Sequence, residues 1–232
     1  MNVEGQRALV TGSNRGLGRQ LARELRDRGA TVIAGARNPA AVDLEGVLPL
    51  ALDITDPGSV VSAAEEVGDL SILVNNAGSY TGASLLSGDV NDIRLEMDTH
   101  FFGTLAVIRA FAPRLAKHDH SAVLNILSVL SWYTLPRAGA YSAAKSAAWS
   151  LTNAVRLELA EQGTRVTALH VGYMDTDMAR DVDAPKSDPA EIARMAVDGI
   201  EADEVEIVAD DVTKQVLSGL SGGVAALYPQ VA

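Results

Sequence analysis

Short, wholly apolar runs alternate along this chain with longer stretches whose apolar residues recur every three or four positions. The first run, Arg7-Ala-Leu-Val-Thr11, reads as a buried strand. From Leu17 to Arg28 the apolar positions Leu17, Leu21, Ala22 and Leu25 keep a helical period. The pattern then repeats. Further strands are predicted at 29–35, 47–52, 70–74, 123–127 and 166–171, with an edge strand at 204–208. Helices are predicted from Asp56-Pro57 onward, over 89–117 as one long helix with Pro113 near its end, over 138–162, from Pro189 through Ile200, and over 210–220. The segment 173–190 reads as a loop. The end, SGLSGGVAALYPQVA, is glycine-rich, as suits a mobile tail or a subunit contact.

Length fits one sizeable α/β domain or two small ones: the chain has 232 residues. Residues 1–232 read as one domain, because no second pattern of elements follows the first. The start, MNVEGQRALVTG, lacks a basic region followed by a long apolar run, so no secretory signal is expected. No apolar stretch reaches the ~18 residues of a membrane span, and the expected compartment is the cytoplasm. With no cysteine, disulfides, thiol catalysis and thiolate zinc sites are excluded. A net charge of −11 without a lysine and arginine cluster argues against nucleic acid as a partner.

Chemistry enters where the first strand meets the first helix. The turn between them is TGSNRGLG, with glycines at 12, 16 and 18. Strand, glycine turn and helix are the context of a dinucleotide site. Glycine lets the backbone come close to a pyrophosphate, and the helix N-terminus offers free amides and a positive dipole end. Gly12, Asn14, Arg15, Gly16, Leu17 and Gly18 are therefore candidate cofactor residues. After the second strand, where an NAD site places an acidic residue, stand Ala36 and Arg37. An arginine there suits a 2′-phosphate, and Arg15 adds a second positive charge, so both point to NADP(H) over NAD(H). The alternative is that Arg37 is a solvated loop residue. Asp53, followed by Ile54, ends the third strand and can accept from an adenine amino group; alternatively it caps the helix that follows. Asn75-Asn76-Ala77-Gly78 closes the fourth strand and can hold a tight turn against a ligand.

A second cluster lies in SVLSWYTLPRAGAYSAAK, from Ser128 to Lys145. Tyr141 and Lys145 share one face of a helix, a turn apart. An ammonium near a phenol favours the phenolate, so Lys145 is expected to lower the Tyr141 pKa. Ser128 ends the fifth strand and can face the same crevice. The alternatives are a solvated Tyr–Lys pair and a serine that only caps a turn.

Together these residues resemble the short-chain dehydrogenase/reductase family. The resemblance rests on TGSNRGLG, Asp53, NNAG at 75–78, Ser128 and Tyr141-x3-Lys145, in the family's order across nearly the whole chain. It implies a Rossmann-like doubly wound α/β domain, with about seven parallel strands in order 3-2-1-4-5-6-7. It also implies hydride transfer between a nicotinamide and a carbonyl or alcohol carbon. Tyr141 would be the general acid in reduction, Ser128 would orient the carbonyl oxygen, and Lys145 would bond the nicotinamide ribose. The chain departs from the family twice. His100, in MDTHFFG, stands where the family has an asparagine that supports a water in the proton relay. Val171, in HVGYMDTDM, stands in a proline position, while Gly172 and Thr176 remain for the nicotinamide contact.

The substrate wall is expected from Tyr80, Leu130, Ser131, Trp132, Tyr133, Leu135, Tyr173, Met174 and Met178, together with Ser128 and Tyr141. It is apolar and aromatic, which favours an uncharged ketone, aldehyde or secondary alcohol. The helices at 89–117 and 138–162 are apolar on more than one stripe. In the family the equivalent helices pair subunits, so a homodimer or homotetramer is expected.

Overall fold

The computed structural model describes residues 1–230; the last two residues of the glycine-rich end lie outside the described residues. Seven strands form one sheet: β1 (Arg7–Thr11), β2 (Thr31–Ala36), β3 (Leu48–Ala51), β4 (Ile72–Asn75), β5 (Ser121–Ile126), β6 (Thr164–His170) and β7 (Glu206–Val208). Their order is β3-β2-β1-β4-β5-β6-β7, with every pair parallel. The fold is the expected Rossmann-like α/β arrangement.

Both faces of the sheet are covered, which is why its strands read as unbroken apolar runs rather than alternating ones. Ala8, Val10, Ile72, Val74 and Leu124 point to one face, where α1 (Gly16–Asp27) and α6 (Pro189–Glu201) pack. Leu9, Leu73, Val123 and Val166 point to the other, against α2 (Pro57–Val67), α4 (Thr104–Leu115) and α5 (Gly139–Glu158). Phe111 of α4 is fully buried there, and truncating it to alanine would cost about 3–5 kcal/mol.

The helix predicted over 89–117 is interrupted. It runs as α3 (Val90–Met97), a π-helical turn over Asp98–Gly103, and then α4. A π turn widens the helix by one residue, and this one holds His100. The glycine-rich end folds back onto its own chain. After the predicted helix, which forms as α7 (Asp211–Gly219), it makes a 3-10 turn at Leu220–Gly222 and α8 (Gly223–Leu227). Its Tyr228 ring stacks on Tyr133 at 5.0 Å between centroids.

The chain winds β1-β2-β3 to one side and then returns to place β4 on the other side of β1. That reversal opens a crevice beyond the carboxyl ends of β1 and β4.

Candidate active site

The glycine turn lies at that crevice. Gly12 and Gly16 have φ of +69° and +53°, which side chains rarely adopt. A Cβ on Gly12 would stand 2.9 Å from the Ala77 Cα. Asn76 locks this approach: its Nδ2 donates to the carbonyls of Thr11 at 2.9 Å and Gly12 at 3.2 Å. Thr11 Oγ1 in turn accepts from the amides of Asn76 and Ala77, both at 3.0 Å. Helix α1 begins at Gly16 with no side-chain cap and no acidic residue in its first turn. Its first amides are thus open to an anion, and the cradle fits a dinucleotide pyrophosphate. Asn14 is half-buried at this turn, Arg15 is exposed, and Leu17 and Gly18 are buried against the sheet.

On the adenosine side, Asp53 Oδ1 accepts from the Thr55 amide at 3.0 Å and the Thr55 hydroxyl at 2.7 Å. Helix α2 is capped by Asp56, whose Oδ1 accepts from the Gly58 amide at 2.9 Å. The capping alternative for Asp53 is therefore ruled out. Burial alone would raise the Asp53 pKa, but the Thr55 hydrogen bonds and the Arg37 charge hold it below the usual carboxylate range. Exposed Arg37 thus stands within electrostatic reach of Asp53. Ile54 is buried, and its carbonyl fills the space a side chain on Gly103 would need.

At the end of β5, Ser128 opens a 3-10 turn, and its hydroxyl accepts from the Leu130 amide at 3.1 Å. Tyr141 lies in the first turn of α5, and Lys145 follows one turn later. Lys145 is buried, donates to the Ile126 carbonyl at 2.8 Å, and lies 5.6 Å from the centre of the Tyr141 ring. The expected lowering of the tyrosine is not found. Burial raises the Tyr141 pKa above the ordinary phenol value; the Ser128 hydroxyl pulls it partway back, while Glu96 and Tyr80 push it further up. Lys145 itself is lowered by burial to about 8, with Glu96 opposing the shift. Desolvation penalises the charged form of each group and exceeds their mutual effect.

His100 lies beside this pair, its ring 5.1 Å from the Tyr141 ring and edge-on to it. It is 3% exposed, and a Cβ on Gly78 would come within 2.9 Å of its Cε1, so Gly78 leaves the room it occupies. Asn75 points away from the glycine turn. Its Nδ2 donates to Asn125 Oδ1 at 2.8 Å, inside a buried chain that continues to Thr152.

Beyond β6, the Val171 carbonyl accepts from the Val129 amide at 3.0 Å. The Gly172 amide is held by Asp210. Thr176 faces the glycine turn from across the crevice, its methyl 3.4 Å from where a Gly16 Cβ would stand. The neighbouring Asp177 pairs with Arg15 at 3.5 Å. The loop 173–190 is tied to itself by a bridge between Met174 and Ser187.

The expected substrate wall is only partly assembled. Tyr80 meets Tyr141 edge-on at 5.5 Å, and Tyr133, Leu135 and Tyr141 pack with buried Leu130. Tyr173 is 40% exposed and close enough to Tyr80 to raise its pKa, after burial, which acts more strongly. All of the chain's five tyrosines are therefore in or against this wall. Trp132 is not part of that mouth: its ring stacks on buried His170 at 3.8 Å and meets Trp149 edge-on. Met174 packs on the core beneath α6, Ser131 is buried, and Met178 is exposed.

Four residues near the centre were not singled out in the sequence: Glu96, His170, Asp210 and Tyr228. Glu96 carries a readable signal, one helical turn before His100. The others meet their partners only through the tertiary fold.

The family model described as short chain dehydrogenase matches residues 6–187. A short chain dehydrogenase from Burkholderia cenocepacia J2315, solved in complex with NADP, is 35% identical. It superposes with a TM-score of 0.94 over 100% of this chain and 99% of that one. The 3-oxoacyl-[acyl-carrier-protein] reductase of Escherichia coli K12 is 33% identical over 193 residues, 78% of either chain. An NADPH-dependent 1-acyldihydroxyacetone phosphate reductase from Schizosaccharomyces pombe is 33% identical over 72% of this chain and 60% of its own length. The chain belongs to the short-chain dehydrogenase/reductase family, whose members are NAD(P)-dependent oxidoreductases acting on CH–OH or C=O groups.

Proposed function

We propose that the protein is a carbonyl reductase that prefers NADP(H) and acts on an uncharged ketone or aldehyde. The observation that carries this reading is the gathering of Ser128, Tyr141 and Lys145 at the end of β5, beside a glycine turn whose helix amides are uncapped. In this reading the chain works as one cofactor-binding domain whose loop 173–190 borders the substrate.

A nicotinamide dinucleotide, bound along the glycine turn, supplies the hydride. Asn14, Gly16 and the α1 amides would hold its pyrophosphate, Asp53 its adenine, and Gly172 and Thr176 its nicotinamide end. Arg15 and Arg37 would hold a 2′-phosphate. Tyr141 gives its proton to the carbonyl oxygen, and a raised pKa keeps that proton in place at neutral pH. Ser128 donates to the same oxygen and orients it. Lys145, cationic below about pH 8, stabilises the phenolate that Tyr141 becomes. The NADP-bound Burkholderia relative and the NADPH-dependent yeast relative support the cofactor preference. A mouth of tyrosines supports an uncharged substrate.

We also propose that a second copy covers the outer face of α3, α4 and α5. Leu95 on α3, Phe102 in the π turn and Leu157 on α5 are 42%, 55% and 78% exposed. Sedimentation of the purified protein should give a dimer or tetramer; a monomer at all concentrations would reject this.

The test of function is a fluorescence titration with NADPH and with NADH, followed by cofactor oxidation against a panel of aromatic and aliphatic ketones. Tighter NADPH binding with ketone-dependent oxidation is expected. Equal binding of both dinucleotides removes the preference. Turnover of secondary alcohols without any reduction of ketones reverses the assigned direction.

A further inference from the structure

Glu96 is a fully buried carboxylate in α3, and no role in cofactor or substrate binding accounts for it. Burial would push its pKa up, but His100, the Thr81 amide and the Ser79 hydroxyl hold it below the usual range through hydrogen bonds and charge. The Ser79 hydroxyl donates at 2.9 Å, and the Thr81 amide donates to the other oxygen. His100 Nε2 lies 3.3 Å from Glu96 Oε2 and 3.0 Å from the Ser79 carbonyl oxygen. Both of those oxygens only accept, so they favour a proton on Nε2. The Ser79 amide donates toward Nε2 at 3.4 Å, the longest of these contacts and the one that favours the opposite tautomer; the two nearer oxygens, one of them a carboxylate, outweigh it.

Burial, reinforced by the nearby Lys145 charge, lowers the His100 pKa and keeps the ring neutral at pH 7, although Glu96 opposes this. A neutral ring protonated at Nε2 has its free lone pair at Nδ1. Nδ1 has no hydrogen-bond partner among the described residues. His100 and Lys145 also line one small cavity of about 10 Å³, with Asn75, Thr104, Asn125 and Thr152; that is room for about one water. Asn75, another residue of that lining, has a buried Oδ1 without a hydrogen-bond partner among the described residues.

We propose that Glu96 is a positioning residue: it fixes His100 as the Nε2–H tautomer, so that Nδ1 is left as the hydrogen-bond acceptor beside the proton-transfer centre. This rests on reading Tyr141 and Lys145 as that centre. A carboxylate that selects a histidine tautomer is a general device. Here it gives the histidine an acceptor where an amide would offer its oxygen. The charged and titratable groups around His100 are Glu96 on α3, Lys145 and Tyr141 on α5, and Tyr80 on the loop after β4. The Glu96 charge acts on His100, Lys145, Tyr141 and Tyr80.

Imidazole nitrogen NMR of the uniformly labelled protein tests the inference without any substrate. His100, assigned by its loss in His100→Asn, should show protonated Nε2 and bare Nδ1 at pH 7. In Glu96→Gln that single tautomer should give way to a mixture. A protonated Nδ1 in the parent protein would overturn the proposal, and so would an unchanged tautomer in Glu96→Gln. A protonated Nδ1 in the parent spectrum overturns the proposal even if the variant folds poorly, and the readout holds for a protein that reduces no ketone.

Where ketone turnover is found, Glu96→Gln should lower kcat by about 10- to 100-fold, leave the KM for NADPH in place and shift the pH profile. In a His100→Asn background the same change should have less than about a twofold effect, because coupled residues are not additive. An equal loss in both backgrounds would mean that Glu96 acts only by holding Ser79 and Thr81.

Discussion

The carboxylate of Asp210 accepts a hydrogen bond from the Gly172 amide at 2.6 Å, across 38 positions of sequence. Its other oxygen accepts from the Thr213 amide at 2.8 Å and caps α7. One side chain thus ties the bend after β6 to the start of the C-terminal helices. Asp210→Ala should destabilise the fold by about 2–4 kcal/mol, a charged hydrogen bond plus a helix cap. Asp210→Asn, which can still accept from Gly172, should retain at least half of that. Urea midpoints decide it; a loss in Asp210→Ala below about 0.5 kcal/mol, the size of an ordinary surface change, would show that the clamp is idle.

Tyr141→Phe removes the proton donor and leaves the ring packing of Tyr80 and His100 around it. Turnover of a ketone should fall by about 10²- to 10⁴-fold, the usual worth of a general acid. Dinucleotide binding should survive. Turnover near the parent level would assign the proton to another group and defeat the mechanism.

Burial of Lys145 has a cost in stability that depends on pH. Its pKa is lowered from 10.5 to about 8 in the folded chain, chiefly by desolvation. Between those values the unfolded chain binds the extra proton, so stability rises with pH across that window. Below about pH 8 the full penalty is present, up to about 3 kcal/mol. Lys145→Met should therefore be more stable than the parent at pH 7, and the difference should shrink as pH rises toward 10. Denaturation midpoints of the two proteins at pH 7, 8, 9 and 10 provide the check. A constant difference would show that the lysine is not held at low pKa.

The strands, helices and main candidate residues were legible because each rests on local pattern: glycines at a strand end, Tyr and Lys one turn apart, apolar runs of strand length; the sheet order came only from the family resemblance that those motifs carry. What was illegible depended on contacts between distant residues. The π turn at Asp98–Gly103 joins two segments without a proline or glycine break ahead of it, so 89–117 reads as one helix. Trp132 reads as a pocket aromatic, yet buried His170 draws its ring inward. Asp53 and Asp56 both look like helix caps, and only hydrogen-bond geometry separates them. Glu96 looks like a solvated helix charge, because nothing in its own sequence neighbourhood shows that the loop at Ser79 and Thr81 closes over it.

The proposed preference for NADP(H) rests on two exposed cations. Arg37 lies near Asp53, and Arg15 leans across the crevice to Asp177, both members of that pair being well exposed at 68% and 50%. An exposed ion pair at 3.5 Å is worth little, so a dianionic 2′-phosphate can take Arg15 from Asp177 at small cost. Among the described residues, Arg37 has no partner that a phosphate must displace other than Asp53, whose charge lies within its reach and which remains bonded to Thr55. Arg37→Ala should then weaken NADPH by about 10- to 150-fold, the worth of one hydrogen bond to a charged group. NADH, which lacks the phosphate, should change by less than about twofold on the same basis. Asp177→Ala should strengthen NADPH modestly and leave NADH alone, because it frees Arg15 without touching the adenine side. The measurement is a pair of fluorescence titrations for each variant at low and high salt, since a phosphate–arginine contact weakens as salt rises. Equal losses of NADPH and NADH affinity in Arg37→Ala would assign Arg37 to the adenine edge and remove the 2′-phosphate from its role.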